Sequence, residues 1–277
     1  MAKAPRPARS ETSETIRFLL KLALIVFIIR SFIFQPFSIP SESMLPRLLI
    51  GDFLFVTKWN YGYSRWSLPG GVPLLPGHIL ARAPTRGDVV VFRSPSPAPG
   101  DTDPDHDDHD VIKRVIGLPG DTIQVRGGQV ILNGVGIPKQ RVADFVLPLT
   151  TNFTADKCGS QFQDVDPAGG AICRYPRYRE TLPGGRSYMV LDQGQMPDRD
   201  DTGVYTVPAG DVFLMGDNRD DSADSRFSPP DGMGYIPMER IEGKALVTFA
   251  SNDGAASLFK PWTWASGWRF SRVGEGF

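Results

Sequence analysis

The 277 residues are enough for one large domain or two small ones with a substantial core. A net charge of −1 and an isoelectric point near 6.3 remove any electrostatic case for a nucleic-acid partner. The 29 glycines and 25 prolines recur at short intervals, which points away from a helical bundle and toward many short strands joined by turns.

In chain order, the first element is an apolar run, IRFLLKLALIVFIIRSFIF, over residues 16–34. Its uninterrupted core, Leu22 to Ile29, is short, but with Phe18 to Leu20 and Phe32 to Phe34 it reaches about 17 apolar residues, the lower limit for a spanning helix. Lys21 and Arg30 lie near its ends, where they can snorkel, and Pro36 forbids a long continuation. A cleaved signal peptide would need small residues after the run, whereas FIFQPFSIP is bulky throughout. No polar face marks it as a surface-lying helix. The run therefore reads as a retained anchor. Lys3, Arg6, Arg9, Arg17 and Lys21 precede or enter it, which places the N-terminus in the cytoplasm and everything after residue 36 outside.

IGDFLFVTKWNYG (50–62) predicts a strand, and GVPLLPGHILARAPTRG (71–87) a loop with turn signals. DVVVFRS (88–94) is a strong strand, and VIKRVIG (111–117) is another. Between them lies the acidic, low-complexity PSPAPGDTDPDHDDHD (95–110). TIQVRGGQVILNG (122–134) predicts a hairpin around Gly127-Gly128. Residues 135–207 are weakly patterned and hold both cysteines, Cys158 and Cys173. VPAGDVFLMGDNRDDSADSR (207–226) is a strand running into a polar turn cluster. KALVTFA (244–250) and WRFSRVG (268–274) are read as closing strands. The sum is an antiparallel β domain with a poorly patterned insertion.

PSESMLPRLLIGDF (40–53) raises the question of chemistry, because Ser41 and Ser43 bracket a glutamate. Histidine is the usual activator of a serine, and it is scarce here: His78 lies in a Pro-Gly loop, while His106 and His109 lie in the acidic run. That run reads as a solvated loop in preference to a metal site. A neutral lysine is the other known activator. In VIKRVI, strand alternation puts Val111, Lys113 and Val115 on one face, and desolvation there disfavours the ammonium. Periodicity alone leaves open that Lys113 snorkels or pairs with an aspartate. The two cysteines match no common zinc spacing. They are either two buried thiols or a disulfide, and an extracytoplasmic position favours the disulfide.

Taken in order, PSESM with its following Pro and Leu, GDFLFVTKWNYG, RGDVVVF, IKRVIGLPGD and GDNRDDSADSR resemble the boxes of bacterial type I signal peptidases, a serine–lysine endopeptidase family. The resemblance covers the anchor and most of the β core. It implies Ser43 as nucleophile, Lys113 as general base and Ser41 as oxyanion donor, with Ser222 holding the lysine amine. Asp217, Asp224, Arg226 and Arg114 are then supports of that corner. Glu42 stands where the family usually has glycine, and Arg47 where threonine is frequent.

The resemblance implies a mainly β fold, with a single N-terminal transmembrane helix followed by an antiparallel β-sheet catalytic domain carrying an inserted β-rich subdomain. The expected divisions are a cytoplasmic tail over 1–15, the anchor over 16–35, a catalytic core over 36–121 and 208–277, and the insertion over 122–207, with 95–110 a mobile acidic loop. The implied partners are the signal-peptide region of secreted preproteins and membrane lipid, with no cofactor and no metal. The implied location is the bacterial inner membrane, catalytic domain outside. An anchored β module that only binds partners, and a conjugation-type peptidase with the same dyad, are the rival readings.

Overall fold

The computed structural model describes residues 11–95, 109–256 and 260–277. His106 and nearly all of the acidic stretch therefore lie outside the described residues, as does most of the N-terminal tail. Helix α1 (Glu11–Ile28) runs into a single π turn over Ile29–Ile33, and β1 (Phe34–Ser38) begins at once. Pro36 sits on this edge strand, where a missing N–H costs no ladder bond. The apolar side chains of α1, including Phe18, Leu20, Leu24 and Phe27, are exposed. Among the described residues no helix is long and apolar enough to cross a membrane. The helix starts in the polar stretch ETSET, five residues before the apolar run, and ends sooner than the run does.

The next strands are β2 (Asp52–Thr57), β3 (Val89–Arg93) and β4 (Asp110–Gly117). A hairpin of β5 (Thr122–Arg126) and β6 (Gln129–Leu132) follows, with the short β7 (Val135–Gly136). Gly127 and Gly128 both take positive φ at its turn, as a two-residue loop of this hand requires. The insertion continues through β8 (Lys139–Pro148), β9 (Gln163–Val165), β10 (Ala171–Thr181), β11 (Ser187–Leu191) and α2 (Pro197–Asp200). Then come β12 (Tyr205–Thr206), β13 (Asp211–Met215), β14 (Ile236–Pro237), β15 (Ile241–Ser251) and α3 (Trp264–Gly267).

The main sheet has seven strands in the order β1-β2-β15-β3-β4-β13-β14, antiparallel throughout. Two smaller antiparallel sheets flank it: β11-β10-β8 with β9 on β10, and β12-β5-β6-β7. The β-branched run of β3 is buried on both faces, as a central strand allows. Val89, Val91 and Ile112 pack with Met44, Leu48, Leu54 and Val56 on one face. Val90, Phe92, Val111 and Val115 pack with Val212, Leu214 and Ile236 on the other. The alternation expected around Lys113 is therefore present in β4.

One expectation is corrected, and one weakly patterned stretch proves to be regular. The stretch 135–207, which the sequence leaves weakly patterned, contains the ten-residue β8 and the eleven-residue β10. Its alternation is hidden by a bulge between Tyr175 and Arg177 and by partial exposure of most β8 side chains. The strand expected over 268–274 does not form. Those residues make tight turns, including a 3₁₀ turn at Phe270–Arg272, with an isolated bridge between Asn252 and Trp268. The guanidinium of Arg272 donates to Asp52 Oδ2 at 2.6 Å and that of Arg269 to the Ile50 carbonyl, also at 2.6 Å, which curls the backbone against β2. Trp268 is half-buried, and Trp262 and Trp264 are exposed.

Cys158 and Cys173 are joined as a disulfide, with Cα atoms 6.0 Å apart. Both are buried in one apolar cluster with Leu45, Leu49, Phe153 and Tyr175. The bond closes a loop of sequence separation 15, for which the chain-entropy model gives about 3 kcal/mol. Thiol labelling of unreduced, denatured protein is expected to find no free cysteine. The Cys158→Ser, Cys173→Ser double variant should lose stability on the order of 3 kcal/mol in denaturant melts while keeping its activity.

Candidate active site

The segment carrying Ser43 is fixed by its neighbours. Met44, Leu45 and Leu48 are fully buried, split between two apolar clusters. Backbone bonds from Leu45 N to the Glu42 carbonyl and from Leu48 N to the Met44 carbonyl, both 2.9 Å, tighten the turn. Ser43 itself retains 8% exposure. Its carbonyl accepts from Asn218 N at 3.0 Å, and Asn218 Nδ2 donates to the Glu42 carbonyl at 3.3 Å. The serine turn and the loop after β13 are thus stitched together. Gly216 permits this approach, since a Cβ there would lie 2.6 Å from the Ser43 carbonyl oxygen and 2.3 Å from Ser222 Oγ.

Lys113, in the middle of β4, reaches Ser43 from the opposite wall. Its Nζ donates to Ser43 Oγ at 2.7 Å. The lysine is 3% exposed, and burial pushes its pKa down to about 8 against the opposing pull of Asp224 and Asp217. Neither aspartate bonds to the amine. Arg114 takes Asp217 with two bonds of 2.7 and 2.6 Å, and also donates to the Gly87 carbonyl at 2.8 Å. Arg226 takes Asp224 with bonds of 2.9 and 3.0 Å. Burial raises the Asp224 carboxyl, but Arg226 and the Gly216 N–H outweigh it and hold the group below the ordinary carboxylate range.

Ser41 Oγ lies 3.4 Å from Ser43 Oγ, on the same wall. Ser222 is buried beside Gly216, and no hydrogen bond joins it to Lys113. Glu42 is half-buried and meets Lys157 at 3.5 Å, which ties the serine turn to the segment after β8. Arg47 stacks over Phe277, 5.1 Å from the ring centroid. Of the candidate residues, Ser41, Ser43, Lys113, Arg114, Asp217, Ser222, Asp224 and Arg226 therefore converge on one corner. His109 borders the same groove, while His78 lies elsewhere. Asn218, Arg219 and Glu180 were not anticipated. Arg219 and Glu180 form a buried two-bond ion pair between the loop and β10, with Tyr188 donating to Glu180 at 2.8 Å. The box GDNRDDSADSR contained Asn218 and Arg219, but no local signal marked Glu180 as a partner.

The groove over the dyad has a volume of about 430 Å³. Residues 37–43 form one wall, and the start of β4 forms the other, with Ile39, Val91, Ile112 and Met233 making it apolar. A larger cleft, about 520 Å³, is lined by Arg47, Arg114, Arg177, Arg179 and Arg186. It holds neither Ser43 nor Lys113, and Arg114 lines it while Lys113 lines the groove. Among the described residues, the carboxylates close enough to share a metal ion are those of Asp192, Asp200 and Asp220, none of which borders the groove. Chemically, a serine hydroxyl against a buried amine of lowered pKa, in an apolar groove with a second hydroxyl alongside, is suited to acyl transfer.

The family model described as signal peptidase, peptidase S26, matches residues 12–250. The signal peptidase I of Rickettsia typhi is 35% identical over 259 residues, covering 86% of this chain and 84% of the relative. That of Rickettsia akari is 36% identical with the same coverage. A crystal structure of a signal peptidase I from Enterococcus faecalis aligns with 59% of this chain and 97% of its own, at 23% identity and a TM-score of 0.28, too low for architecture to be inferred from it. On the family match and the Rickettsia relatives, the chain belongs to the signal peptidase I family of S26 peptidases, serine endopeptidases that remove signal peptides from preproteins.

Proposed function

We propose that Ser43 is the nucleophile and Lys113 its general base, in an acyl-enzyme mechanism at the extracytoplasmic face of the bacterial inner membrane. The observation that carries this reading is the 2.7 Å contact between Lys113 Nζ and Ser43 Oγ, with both carboxylates near the amine already claimed by arginines. The preprotein's cleavage region extends along residues 37–43 as an added strand, held by main-chain hydrogen bonds. Ser43 attacks the scissile carbonyl as Lys113 takes its proton. The Ser41 hydroxyl and the Ser43 N–H receive the developing oxyanion, the C–N bond breaks as Lys113 returns its proton to the leaving amine, and water, giving a proton to Lys113, then hydrolyses the acyl-enzyme. Ser222, buried beside Gly216 in the same corner, is the residue assigned to steady the amine.

Helix α1 and the π turn act as the membrane anchor, N-terminus in the cytoplasm, with lipid as the partner of their exposed apolar side chains. A helix with Phe18, Leu20, Leu24 and Phe27 all exposed needs a nonaqueous neighbour. The seven-stranded sheet is the catalytic core over 36–121 and 208–277, and 122–207 is an inserted β-rich subdomain. Sharing one membrane with the substrate confines the search for the cleavage site.

Ser43→Ala and Lys113→Ala are each expected to abolish preprotein cleavage without unfolding the protein. Because the two groups act as a unit, the double variant should be scarcely worse than either single one. Turnover by folded Ser43→Ala near the wild-type level would remove the mechanism. Ser41→Ala should lose about 10²- to 10³-fold in kcat with little change in KM, the usual effect of one missing oxyanion donor. Single-turnover kinetics on a purified preprotein separates the two constants.

The base must be neutral, so cleavage should rise with pH through about 8, the value to which burial pushes Lys113. The stability consequence has the opposite sense to a salt bridge. Between about 8 in the folded chain and 10.5 in the unfolded one, the unfolded chain binds the extra proton. Destabilisation is therefore full below about 8 and is relieved as pH rises toward 10.5. Lys113→Met should be inactive, yet at least as stable as wild type at pH 7. Denaturant melts of both proteins across this range, beside a pH–rate profile, test the pair of statements. A rate that climbs only near pH 10, with a methionine variant less stable than wild type, would overturn them.

A further inference from the structure

Away from the groove, three carboxylates meet where the inserted sheets abut the loop after β13. Asp192 follows β11, Asp200 closes α2, and Asp220 stands two residues before Ser222. Each presents one carboxylate oxygen, and these oxygens all lie within 4.8 Å of one another. Two oxygens bound to one calcium ion at about 2.4 Å are at most about 4.8 Å apart, so the spacing suits a shared ion. Asp200 and Asp220 are only 5% and 3% exposed.

The protein itself does not satisfy this cluster. Lys139, from β8, gives its ammonium to Asp192 Oδ2 and to the Gly128 carbonyl at 2.7 Å. Backbone N–H groups serve one oxygen each of Asp200, from Met196 at 2.7 Å, and of Asp220, from Gln193. The other oxygen of Asp192 takes Gly194 N at 3.3 Å. Asp220 Oδ1 is buried with no protein donor. Three carboxylates therefore face one directly bonded ammonium, with Arg226 acting from further off. A buried carboxylate oxygen without a donor, in surroundings of like charge, is the condition that a bound cation relieves.

We propose that Asp192, Asp200 and Asp220 form a structural site for a calcium-type divalent cation, which clamps the inserted sheets to the loop bearing Ser222. The donors are oxygen alone, with no histidine or cysteine, which selects a hard cation over zinc. Calcium accepts six to eight oxygens in flexible geometry and completes its shell with water, whereas magnesium demands a near-ideal octahedron. The three residues come from separate elements, so no spacing motif announces them, and the sequence reading assigned no metal. The ion takes no part in acyl transfer. It stiffens the segment that ends on the Ser43–Lys113 corner.

The test uses the full chain in detergent, stripped with chelator and titrated with calcium chloride and, in parallel, magnesium chloride by calorimetry. Saturable one-to-one calcium binding, weaker magnesium binding, and a rise in Tm with calcium are expected. Backbone hydrogen exchange over residues 216–226 should slow on addition of calcium. Asp192→Asn, a near-isosteric change, should weaken calcium by about tenfold, since the charge count of the ligands sets calcium affinity. Lys139→Met, which removes the competing ammonium, should tighten it. No binding and no change in Tm up to about 10 mM calcium, beyond the range of weak extracellular calcium modules, would overturn the proposal. So would calcium affinity unchanged in Asp192→Asn and Asp220→Asn. A melt that ignores calcium but is raised by Asp220→Asn would instead assign the place to a shared proton.

Discussion

A lysine can serve as a base near neutral pH only if it is dry and has no carboxylate to neutralise it. With Lys113 as the proposed base, that constraint accounts for the corner around it. Asp217 and Asp224 are the negative charges that act on it, and each is held by an arginine in a two-bond fork. Arg114 and Arg226 are thus more than fillers of a polar core. They keep two buried carboxylates occupied, so that burial decides the charge state of the amine. Removing either arginine would leave an unpaired buried aspartate beside the lysine and draw the proton back onto it.

The fold delivers this arrangement by stacking pieces from distant parts of the chain. The serine turn is sunk into apolar clusters by Met44, Leu45 and Leu48, while β4 brings the lysine from the centre of the main sheet. The loop after β13 closes the corner, and the insertion fastens that loop. Leu191, at the end of β11, donates to the Asp217 carbonyl at 2.9 Å and accepts from Arg219 N at 3.0 Å, while Glu180 on β10 takes the Arg219 side chain. The insertion therefore contributes to the site without touching the groove.

Much of this was legible in the sequence because it is local. The β-branched run in DVVVFRS located β3, alternation in VIKRVIG located β4 and put Lys113 beside Val111 and Val115, and the Gly127-Gly128 turn announced its hairpin. The five ordered boxes brought together the serines, the lysine and their supports, which periodicity alone left open. What was not legible depends on contacts between distant elements. Glu180 looks like any exposed strand residue until β10 is laid against the loop holding Arg219. The strand read over 268–274 failed because Arg269 and Arg272 are recruited by β2, some two hundred residues earlier in the chain. The distinction between two thiols and a disulfide at Cys158 and Cys173 likewise depended on where β10 and its preceding loop meet.

The junction between α1 and β1 has no slack. The π turn passes directly into the edge strand, the Ile33 carbonyl accepts from Lys58 N at 3.0 Å, and Tyr63 donates to the Phe32 carbonyl at 3.0 Å. Helix and sheet are bolted together where a tethered enzyme would have a flexible leash. With α1 seated in the bilayer as proposed, the five residues of β1, about 17 Å of extended chain, set the height of the serine turn above the lipid. A peptide bond that emerges near that height would then meet Ser43, and one much further out would not.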